Sequence, residues 1–272
     1  MANLGTALPN RWENGSLWDM TKRAQVVTFI GAGGKTTCLR SITQEIDAAG
    51  HRVIATTTTK VFPEESMKGW KNLNLPPYEQ EGACFWYVDV IGESGKWRGP
   101  SLKAVDDAIV ADLHSGTSQR FWVIEGDGAR GLKLKCWEPH EPQIPKRSDC
   151  TVLVLDGGLW GSIVQAEQVH RPEECLDLVG HVWNAENAWR YFLRSPVFAP
   201  QYRVMSWVIL LNCHGENADN EDSLEPRALL QDLRDRWAEI QAEVEELEYR
   251  PSHLRVAAGN AKEGKLQWFD LW

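Results

Sequence analysis

The sequence predicts an α/β protein of three layers, with a mostly parallel sheet between helices on both faces. Short apolar runs rich in β-branched residues alternate with longer amphipathic segments along the chain. Most of these runs end in glycine-rich or polar turns, as strands do at the ligand-binding edge of a parallel sheet. A length of 272 residues suits a single domain over 1–272, with 214–272 as a candidate peripheral extension.

The individual elements follow from periodicity and from turn residues. Buried strands are predicted where the apolar runs are short, over 26–30, 52–55, 84–91, 121–124, 151–155, 204–211 and 253–258. Helices are predicted where apolar residues recur at helical spacing, over 17–23, 38–46, 102–113, 185–193 and 224–247. A further helix is expected to begin at Pro172, because proline suits a first helical turn. The proline-containing stretch 63–82 is predicted to be irregular.

A phosphate-binding loop is predicted where the first of these strands meets its helix. The strand runs into four small residues, Gly31, Ala32, Gly33 and Gly34. The helix opens with Lys35, Thr36 and Thr37. In this arrangement the loop and helix N-terminus attract anionic oxygens, the lysine reaches the β- and γ-phosphates, and the first hydroxyl binds Mg²⁺. We therefore expect residues 31–37 to bind a nucleotide, with Lys35 on its phosphates and Thr36 on the metal.

The loop departs from the usual pattern G-x-x-x-x-G-K-[ST] at one position. Phe29 stands where the first glycine belongs, so the loop is a shortened variant. The alternative is a glycine turn whose lysine is simply exposed, although the flanking strand and helix favour phosphate binding. The choice between ATP and GTP stays open. The late strand ends in Asn212 and Cys213, and this pair lacks the lysine and aspartate of the guanine-reading motif N-K-x-D.

A second polar loop follows the strand predicted over 121–124. It contains Glu125, Asp127 and Arg130 among glycines. In nucleotide hydrolases an acid at the end of a buried strand binds Mg²⁺, directly or through water, or orients an attacking water. Glu125 is the first candidate metal ligand and Asp127 the second. Arg130 suits a phosphate or a substrate carboxylate, because a guanidinium binds such oxyanions through two hydrogen bonds. A glycine-rich turn with a solvated salt bridge is the alternative.

Other polar groups have two interpretations each. Residues 56–59 are four threonines that follow the second strand. Their hydroxyls could bind phosphate oxygens, a metal-bound water or a substrate, and Thr58 and Thr59 are the first candidates. Threonine also simply favours extended structure. His170 suits proton transfer near neutral pH or a structural contact. Lys133 and Lys135 suit either a cationic patch or solvated side chains.

Composition excludes several classes of protein. A net charge of −9 argues against a general nucleic-acid binder. No apolar run is long enough for a membrane span, and no secretory signal pattern opens the chain, so a cytoplasmic protein is expected. Six scattered cysteines without a C-x-x-C pair predict neither a metal cage nor a disulfide framework. Among them Cys136 and Cys150 bracket His140, and buried thiols are the expected state. Fourteen tryptophans suit either an interface or core packing.

Five motifs occur in a fixed order: GAGGKTT, ATTTTKVF, EGDGARGLKLK, HEPQIP and VHRPE. Together they resemble the YqeC family of accessory proteins for selenium-dependent molybdenum hydroxylases, over about residues 25–213. The resemblance implies a P-loop NTPase-like fold and a role in selenium or molybdenum-cofactor handling. It also implies a phosphate loop at 31–37, a threonine segment at 56–59, an acidic loop at 125–131 and a motif histidine at His170.

The expected function is a Mg²⁺-dependent, nucleotide-binding and nucleotide-hydrolysing accessory protein. Lys35, Asp127, Arg130 and His170 are expected to act in catalysis. The expected ligands are ATP or GTP with Mg²⁺, and a molybdenum hydroxylase or its cofactor is the expected partner. Nucleic acid and membranes are not expected to be partners.

Two alternatives stay open at the level of sequence. The run GAGGKTT also resembles the G-T-x-G-K-T-T loop of Mur-type ligases, which favours an ATP-dependent kinase or ligase acting on a small anionic substrate. A nucleotide-gated chaperone that docks on a client hydroxylase is the other, and exposed tryptophans would favour it.

Overall fold

A computed structural model describes residues 12–78, 81–114, 120–213, 225–245 and 249–272. The strands, in chain order, are β1 (Glu13–Gly15), β2 (Val26–Gly31), β3 (Val53–Thr57), β4 (Lys60–Val61), β5 (Lys68–Lys71), β6 (Ala83–Tyr87), β7 (Asp89–Ile91), β8 (Lys96–Arg98), β9 (Phe121–Glu125), β10 (Leu134–Lys135), β11 (Cys150–Asp156), β12 (Val169–His170), β13 (Ser206–Asn212), β14 (His253–Asn260) and β15 (Lys265–Asp270). The α-helices are α1 (Leu17–Met20), α2 (Lys35–Ala48), α3 (Leu102–His114), α4 (Ala185–Arg194) and α5 (Pro226–Glu245). Single turns of 3₁₀-helix cover Gly157–Leu159, Ala166–Gln168, Pro172–Cys175, Pro196–Phe198 and Pro200–Tyr202.

A ten-stranded sheet in the order β1-β15-β14-β13-β11-β2-β9-β3-β6-β5 forms the centre of the molecule. From β14 to β5, each strand is parallel to the next one in this order. Strand β15 is antiparallel to both of its neighbours, β14 and β1. Two small sheets flank it, a parallel pair of β10 with β12 and an antiparallel trio in the order β4-β8-β7. The predicted α/β class with a large, mostly parallel sheet is therefore confirmed.

Helices cover both faces of this sheet, because side chains of one strand point alternately to opposite faces. On β11, Val152 and Val154 pack in the same cluster as the apolar residues of α2. Leu153 and Leu155 instead pack with residues of α4 and α5. The helix α3 covers the second face farther along, over β9, β3 and β6. The expected three layers are thus present.

The carboxyl ends of the central parallel strands meet at one edge of the sheet, which we call the ligand edge. Strand β2 lies between β11 and β9, and it ends at Gly31. Its neighbours end at Asp156 and Glu125, and the next strands outward end at Asn212 and Thr57. The topology therefore gathers the polar ends of four strands around the glycine loop that follows β2.

Three predicted segments differ in the structure. The stretch predicted to be irregular contains β5, which pairs in parallel with β6; its sequence Lys-Gly-Trp-Lys lacks an apolar run because it is the outermost strand. The single strand predicted over 84–91 divides at Val88, since β7 leaves the central sheet to pair with β8. The helix expected at Pro172 is a four-residue 3₁₀ turn.

The chain ends also contribute more to the sheet than sequence periodicity suggested. Strands β14 and β15 extend the central sheet, and β1 from the N-terminal region pairs with β15. The predicted outer ends of the last helix, at Leu224 and over 246–247, lie outside the described residues.

All fourteen tryptophans lie in the described part of the chain, and each is buried or partly buried. Several form ring contacts inside the fold, as Trp189 does with Trp237 at a centroid distance of 4.8 Å. Core packing therefore accounts for the buried tryptophans, and none of the fourteen is fully exposed. Within the described ranges no helix combines the length and apolarity that crossing a membrane requires.

Candidate functional site

The glycine loop is formed by close packing against the neighbouring strand β11. Gly31 and Gly33 have φ angles of +94° and +71°, a region that side-chain-bearing residues rarely adopt. A Cβ atom on Gly33 would lie 2.2 Å from the backbone nitrogen of Asp156, and one on Gly31 would lie 2.4 Å from the carbonyl oxygen of Val154. Both positions therefore require glycine for conformation and for space.

Most backbone N–H groups of the loop are bound to protein acceptors. The Gly31 N–H donates to the carboxylate of Asp127 at 3.0 and 3.1 Å. Ala32 donates to the carbonyl of Val154, and Gly33 donates to that of Leu132. The helix α2 begins at Lys35, and the N–H groups of a first helical turn have no intrahelical acceptor. An anion at this loop would consequently meet the start of α2 rather than residues 31–33.

Lys35 lies at the centre of the site and is only 6% exposed. Its Nζ donates to the carbonyl of Gly31 at 2.6 Å and lies 3.3 Å from Oδ1 of Asp127. The ammonium group therefore points back under the loop, between the loop backbone and a buried carboxylate. This arrangement contradicts the alternative in which the lysine of a simple glycine turn is exposed.

Thr36 and Glu125 meet beside Lys35. The Thr36 hydroxyl donates to Oε2 of Glu125 at 3.0 Å, although the two residues are far apart in the sequence. Glu125 is buried, and burial raises its pKa, while Lys35 and the Thr36 hydrogen bond act in the opposite direction. A hydroxyl next to a carboxylate is a donor set that suits Mg²⁺.

The donor set also decides how a metal would be held here. Among the described residues there is no group of three or more His, Cys, Asp or Glu side chains suited to a metal ion. Mg²⁺ is commonly bound through one or two carboxylates together with phosphate oxygens and water. Thr36 and Glu125 fit that mode, and they do not form a closed protein cage.

Asp127 is fully buried, with both carboxylate oxygens engaged. Besides Gly31, its Oδ2 accepts a hydrogen bond from Nε1 of Trp137 at 2.8 Å. Lys135 lies on the far side, with Nζ 3.5 Å from the same oxygen. The sequence predicted Asp127 as the second metal ligand and as a catalytic residue, and the structure places it beneath the loop in contact with Gly31 and Lys35.

An ion-pair chain extends from Asp127 toward the segment that contains His170. Lys135 is fully buried; its Nζ donates to the carbonyl of Gly128 at 2.6 Å and lies 3.2 Å from Glu141. Glu141 in turn pairs with Arg171 at 2.7 Å. We call the series Lys35, Asp127, Lys135, Glu141 and Arg171 the ion-pair chain. Neither sequence interpretation of Lys135, as a solvated or as a ligand-facing lysine, matches this position.

The threonines after β3 are tied into the protein by their hydroxyl groups. Thr56 donates to the carbonyl of Trp86, and Thr57 donates to that of Glu125. The Thr58 hydroxyl donates to the carbonyl of Gln143 at 2.9 Å. Thr59 lies with its hydroxyl 3.1 Å from that of Thr57. Of the four, Thr58 and Thr59 are partly exposed at the ligand edge.

His170 and Arg130 are the two remaining residues that the sequence predicted to act in catalysis. His170 is on β12, which pairs in parallel with β10 so that His170 stands opposite Lys135. Burial lowers the pKa of His170, and the positive charges of Lys135, Arg171 and Arg130 lower it further. These effects favour the neutral form of the imidazole. Arg130 is exposed and has a positive φ of 52°.

The structure adds four residues that sequence reasoning did not assign to the site. They are Glu64, Trp137, Glu141 and Asn212. Glu64 is buried, pairs with Arg40 on α2 at 3.0 Å, and raises the pKa of the nearby Glu125. The Nδ2 of Asn212 donates to the carbonyl of Gly33 at 2.9 Å, so this asparagine supports the loop. The position of Asn212 at the end of a strand and the place of Glu141 in the motif HEPQIP were the available sequence signals. Glu64 and Trp137 carried none.

The expectation that the cysteines are free thiols is wrong for one pair. Cys136 and Cys175 form a disulfide, whereas Cys38, Cys84, Cys150 and Cys213 are free. The two partners are separated by 39 positions in the sequence, and β10 and β12 bring their segments together. Spacing rules for C-x-x-C pairs do not detect a pair that forms only through tertiary structure.

Comparisons with known proteins point to one family. A family model described as "YqeC protein" matches residues 27–173. The chain is similar to the "Uncharacterized protein YqeC" of Escherichia coli (strain K12), with 34% identity over 166 residues. That match covers 58% of this chain and 62% of the relative, so the chain spans less than two thirds of the relative's length. No solved structure matches.

The matched segment contains both the glycine loop and the acidic loop, which meet at the ligand edge. It extends over more than half of the chain. This chain therefore belongs to the YqeC family.

Proposed function

We propose that this protein binds a nucleotide with Mg²⁺ and hydrolyses it. The observation that carries the proposal is the hydrogen bond between Thr36 and Glu125, 3.0 Å long, at the start of a helix that follows a glycine loop. A hydroxyl from the loop helix and a carboxylate from the neighbouring strand are the metal-binding pair of many P-loop proteins. A P-loop NTPase-like fold is part of this proposal.

The roles follow from the contacts. The N–H groups at the start of α2 and the ammonium of Lys35 bind the phosphate oxygens. Thr36 and Glu125 would hold the metal, which would supply positive charge to neutralise the phosphates. Lys35 must turn from the Gly31 carbonyl toward the ligand, since its Nζ now donates to that oxygen. Thr58 and Thr59 border the same edge and contact the ligand from the β3 side.

Asp127 acts as a positioning residue in this proposal. It accepts from the Gly31 N–H and neutralises Lys35, so it sets the path of the loop and the position of the ammonium group. Its oxygens also bind Trp137 and contact Lys135. Of the two acidic residues, Glu125 and not Asp127 is therefore assigned direct contact with the metal. Arg130 and the neutral imidazole of His170 face the second substrate, Arg130 as an oxyanion ligand and His170 as a proton acceptor.

The biological setting is proposed from the resemblance of the five ordered motifs. We infer a cytoplasmic accessory protein that acts in the maturation of selenium-dependent molybdenum hydroxylases, with the hydroxylase or its cofactor as partner. The net charge of −9 opposes nucleic acid as that partner. Turnover stimulated by a protein client would favour a chaperone, and turnover stimulated by a small anionic molecule would favour a kinase or ligase.

Calorimetric titration with non-hydrolysable analogues of ATP and GTP, each with and without Mg²⁺, tests the proposal. We expect metal-dependent binding of at least one analogue. The Thr36→Ala variant should lose the Mg²⁺ enhancement, because it lacks the hydroxyl. The matched control is Thr37→Ala, which removes the neighbouring hydroxyl on α2 and should keep the Mg²⁺ enhancement. Equal binding by the wild type with and without Mg²⁺, or no binding of either analogue, would overturn the proposal.

A further inference from the structure

A cavity of about 310 Å³ lies next to the ion-pair chain, with Glu141 in its lining. Its walls come from the segment after β10, from residues 174–178, and from the end of α4 with the two 3₁₀ turns after it. Exposed residues, among them Pro139 and Gln201, form part of the lining, so the cavity is open to solvent. We call it the Trp137 cavity. Its volume accommodates a small molecule.

Three aromatic side chains line the cavity, those of Trp137, Tyr191 and Tyr202. The polar atom of each is already hydrogen-bonded to the protein. The indole nitrogen of Trp137 donates to Asp127, and the Tyr191 hydroxyl donates to the carbonyl of Lys135 at 2.6 Å. The Tyr202 hydroxyl also donates to a backbone carbonyl, at 3.1 Å. These residues therefore present ring carbon rather than free donors to the cavity, and a flat aromatic molecule stacks well on such a surface.

The charged groups around the cavity balance one another. Three carboxylates of the lining form ion pairs with cationic side chains, and the fourth, Glu174, is exposed to water. The three paired carboxylates are those of Glu138, Glu141 and Asp177, and their partners are Lys135, Arg171, Arg190 and Arg194. A charged ligand would therefore find no unpaired counter-charge here, and burying its charge would cost free energy.

Trp137 also connects the cavity to the glycine loop. Its indole is partly exposed and lines the cavity, and its Nε1 donates to Oδ2 of Asp127 at 2.8 Å. Asp127 in turn accepts the Gly31 N–H and neutralises Lys35. A ligand stacked on Trp137 is therefore linked to the loop through a single, fully buried carboxylate.

We propose that the Trp137 cavity binds an uncharged bicyclic aromatic molecule, which stacks on Trp137 and stabilises its hydrogen bond to Asp127. The ring walls favour an aromatic ligand over a saturated one, and the balanced charges disfavour an ion. His170 and Arg130 are not part of the lining, so this site differs from the second-substrate position proposed above. Binding requires neither nucleotide nor metal, and the site therefore does not depend on the proposed hydrolysis.

The ligand class is tested with four bicyclic probes of similar size. Quinazolin-4-one is uncharged and aromatic, quinoline-4-carboxylate is an anion, N-methylquinolinium is a cation, and octahydroquinolin-2-one is uncharged but saturated. Ligand-detected NMR titration of the full chain, without nucleotide, gives the four dissociation constants. We expect quinazolin-4-one to bind at least about 5-fold more tightly than each of the others. Equal affinity for all four, or tightest binding of an ion, would overturn the proposal.

Variants locate the bound probe. Trp137→Ala should weaken binding of quinazolin-4-one about 5-fold or more, because the stacking surface is lost. The matched control is Trp70→Ala, since the Trp70 indole is also partly exposed and donates to a backbone carbonyl, but lies outside the cavity lining. It should leave affinity within about twofold. Ala199→Leu, which fills the cavity from its wall and keeps all three rings, should weaken binding as well and decides the outcome if Trp137→Ala does not fold. Undiminished affinity in Ala199→Leu would overturn the assignment of the cavity.

Hydrogen exchange of backbone amides tests the link to the glycine loop. Saturation with quinazolin-4-one should slow exchange in a peptide that covers residues 26–38. Trp137→Phe keeps a ring for stacking but lacks the N–H that binds Asp127, so it should bind the probe without protecting the loop. Unchanged exchange in the wild type, or equal protection in Trp137→Phe, would overturn the link through Trp137. No nucleotide is present in these measurements, so their failure is distinct from failure of the proposed hydrolysis.

Discussion

The carboxylate of Asp127 lies 3.3 Å from the ammonium of Lys35, and both side chains are almost completely buried. Two charges can stay in such a position only if each is neutralised and hydrogen-bonded. Asp127 receives the Gly31 N–H, and Lys35 donates to the Gly31 carbonyl. The same glycine therefore binds both members of the pair, which couples the shape of the loop to the position of the lysine.

Replacing Asp127 tests this coupling. Asp127→Asn leaves Lys35 and Lys135 buried without their shared counter-charge, so we expect the free energy of unfolding to fall by about 3–5 kcal/mol. Denaturant unfolding measures it. The control is Asp107→Asn, which removes an exposed i,i+4 pair with Lys103 and should cost no more than about 0.5 kcal/mol. Equal losses in the two variants would show that the buried pair is not a structural element of the loop.

Lys35→Ala tests nucleotide binding. A charge-assisted hydrogen bond contributes about 1.5–3 kcal/mol, so affinity for the preferred Mg²⁺–nucleotide should fall about 10- to 100-fold. Calorimetry measures the change. Lys133→Ala removes a partly exposed lysine two positions before Lys135 and should leave affinity within about twofold. Unchanged affinity in Lys35→Ala would remove the lysine from the phosphate site.

The pKa of Glu125 predicts a pH dependence. Burial raises this pKa above its ordinary value of 4.5, so the folded protein keeps the proton to higher pH than the unfolded chain does. The folded state then binds more protons, and the stability contributed by Glu125 falls as pH rises from about 4.5 through the raised pKa. Metal binding needs the carboxylate, so Mg²⁺–nucleotide affinity should rise over the same interval.

Calorimetric titrations between pH 5 and 8 on the wild type and on Glu125→Gln separate this effect from titration of the nucleotide itself. The nucleotide contributes equally to both proteins, so the difference between them reports Glu125. We expect that difference to grow with pH. Parallel profiles for the two proteins would mean that Glu125 does not act on the metal.

Gly33→Ala tests the packing of the loop on β11. The added methyl would lie 2.2 Å from the Asp156 nitrogen, at a φ of +71°, so we expect a loss of about 2–5 kcal/mol in the free energy of unfolding. Gly128→Ala is the matched control, because a Cβ at Gly128 meets nothing within 4 Å; it should change stability by no more than about 0.5 kcal/mol. Thermal unfolding of both variants measures the two losses in stability. A Gly33→Ala protein as stable as the wild type would contradict the close packing of Gly33 against Asp156.

Local sequence patterns were sufficient to predict the structural features that depend on residues close together in the chain. The strand, glycine loop and helix at residues 26–48 were predictable because apolar periodicity and small residues are encoded within one short segment. The same is true of the acidic residues after β9, which simply follow an apolar run. Partners far apart in sequence were not predictable, and Lys135 shows why: its neighbours Leu134 and Cys136 gave no indication that its ammonium group meets Asp127 and Glu141.

The α/β class, the family motifs and the candidate residues of the ligand edge could all be predicted from the amino-acid sequence, since each depends on short-range order along the chain. Tertiary structure alone decided which of these residues meet. It placed Thr36 on Glu125, buried Lys35 and Lys135 on either side of Asp127, and paired Cys136 with Cys175. The physical reason is that a buried charge or a disulfide needs a partner in space, and strand order rather than sequence distance supplies that partner.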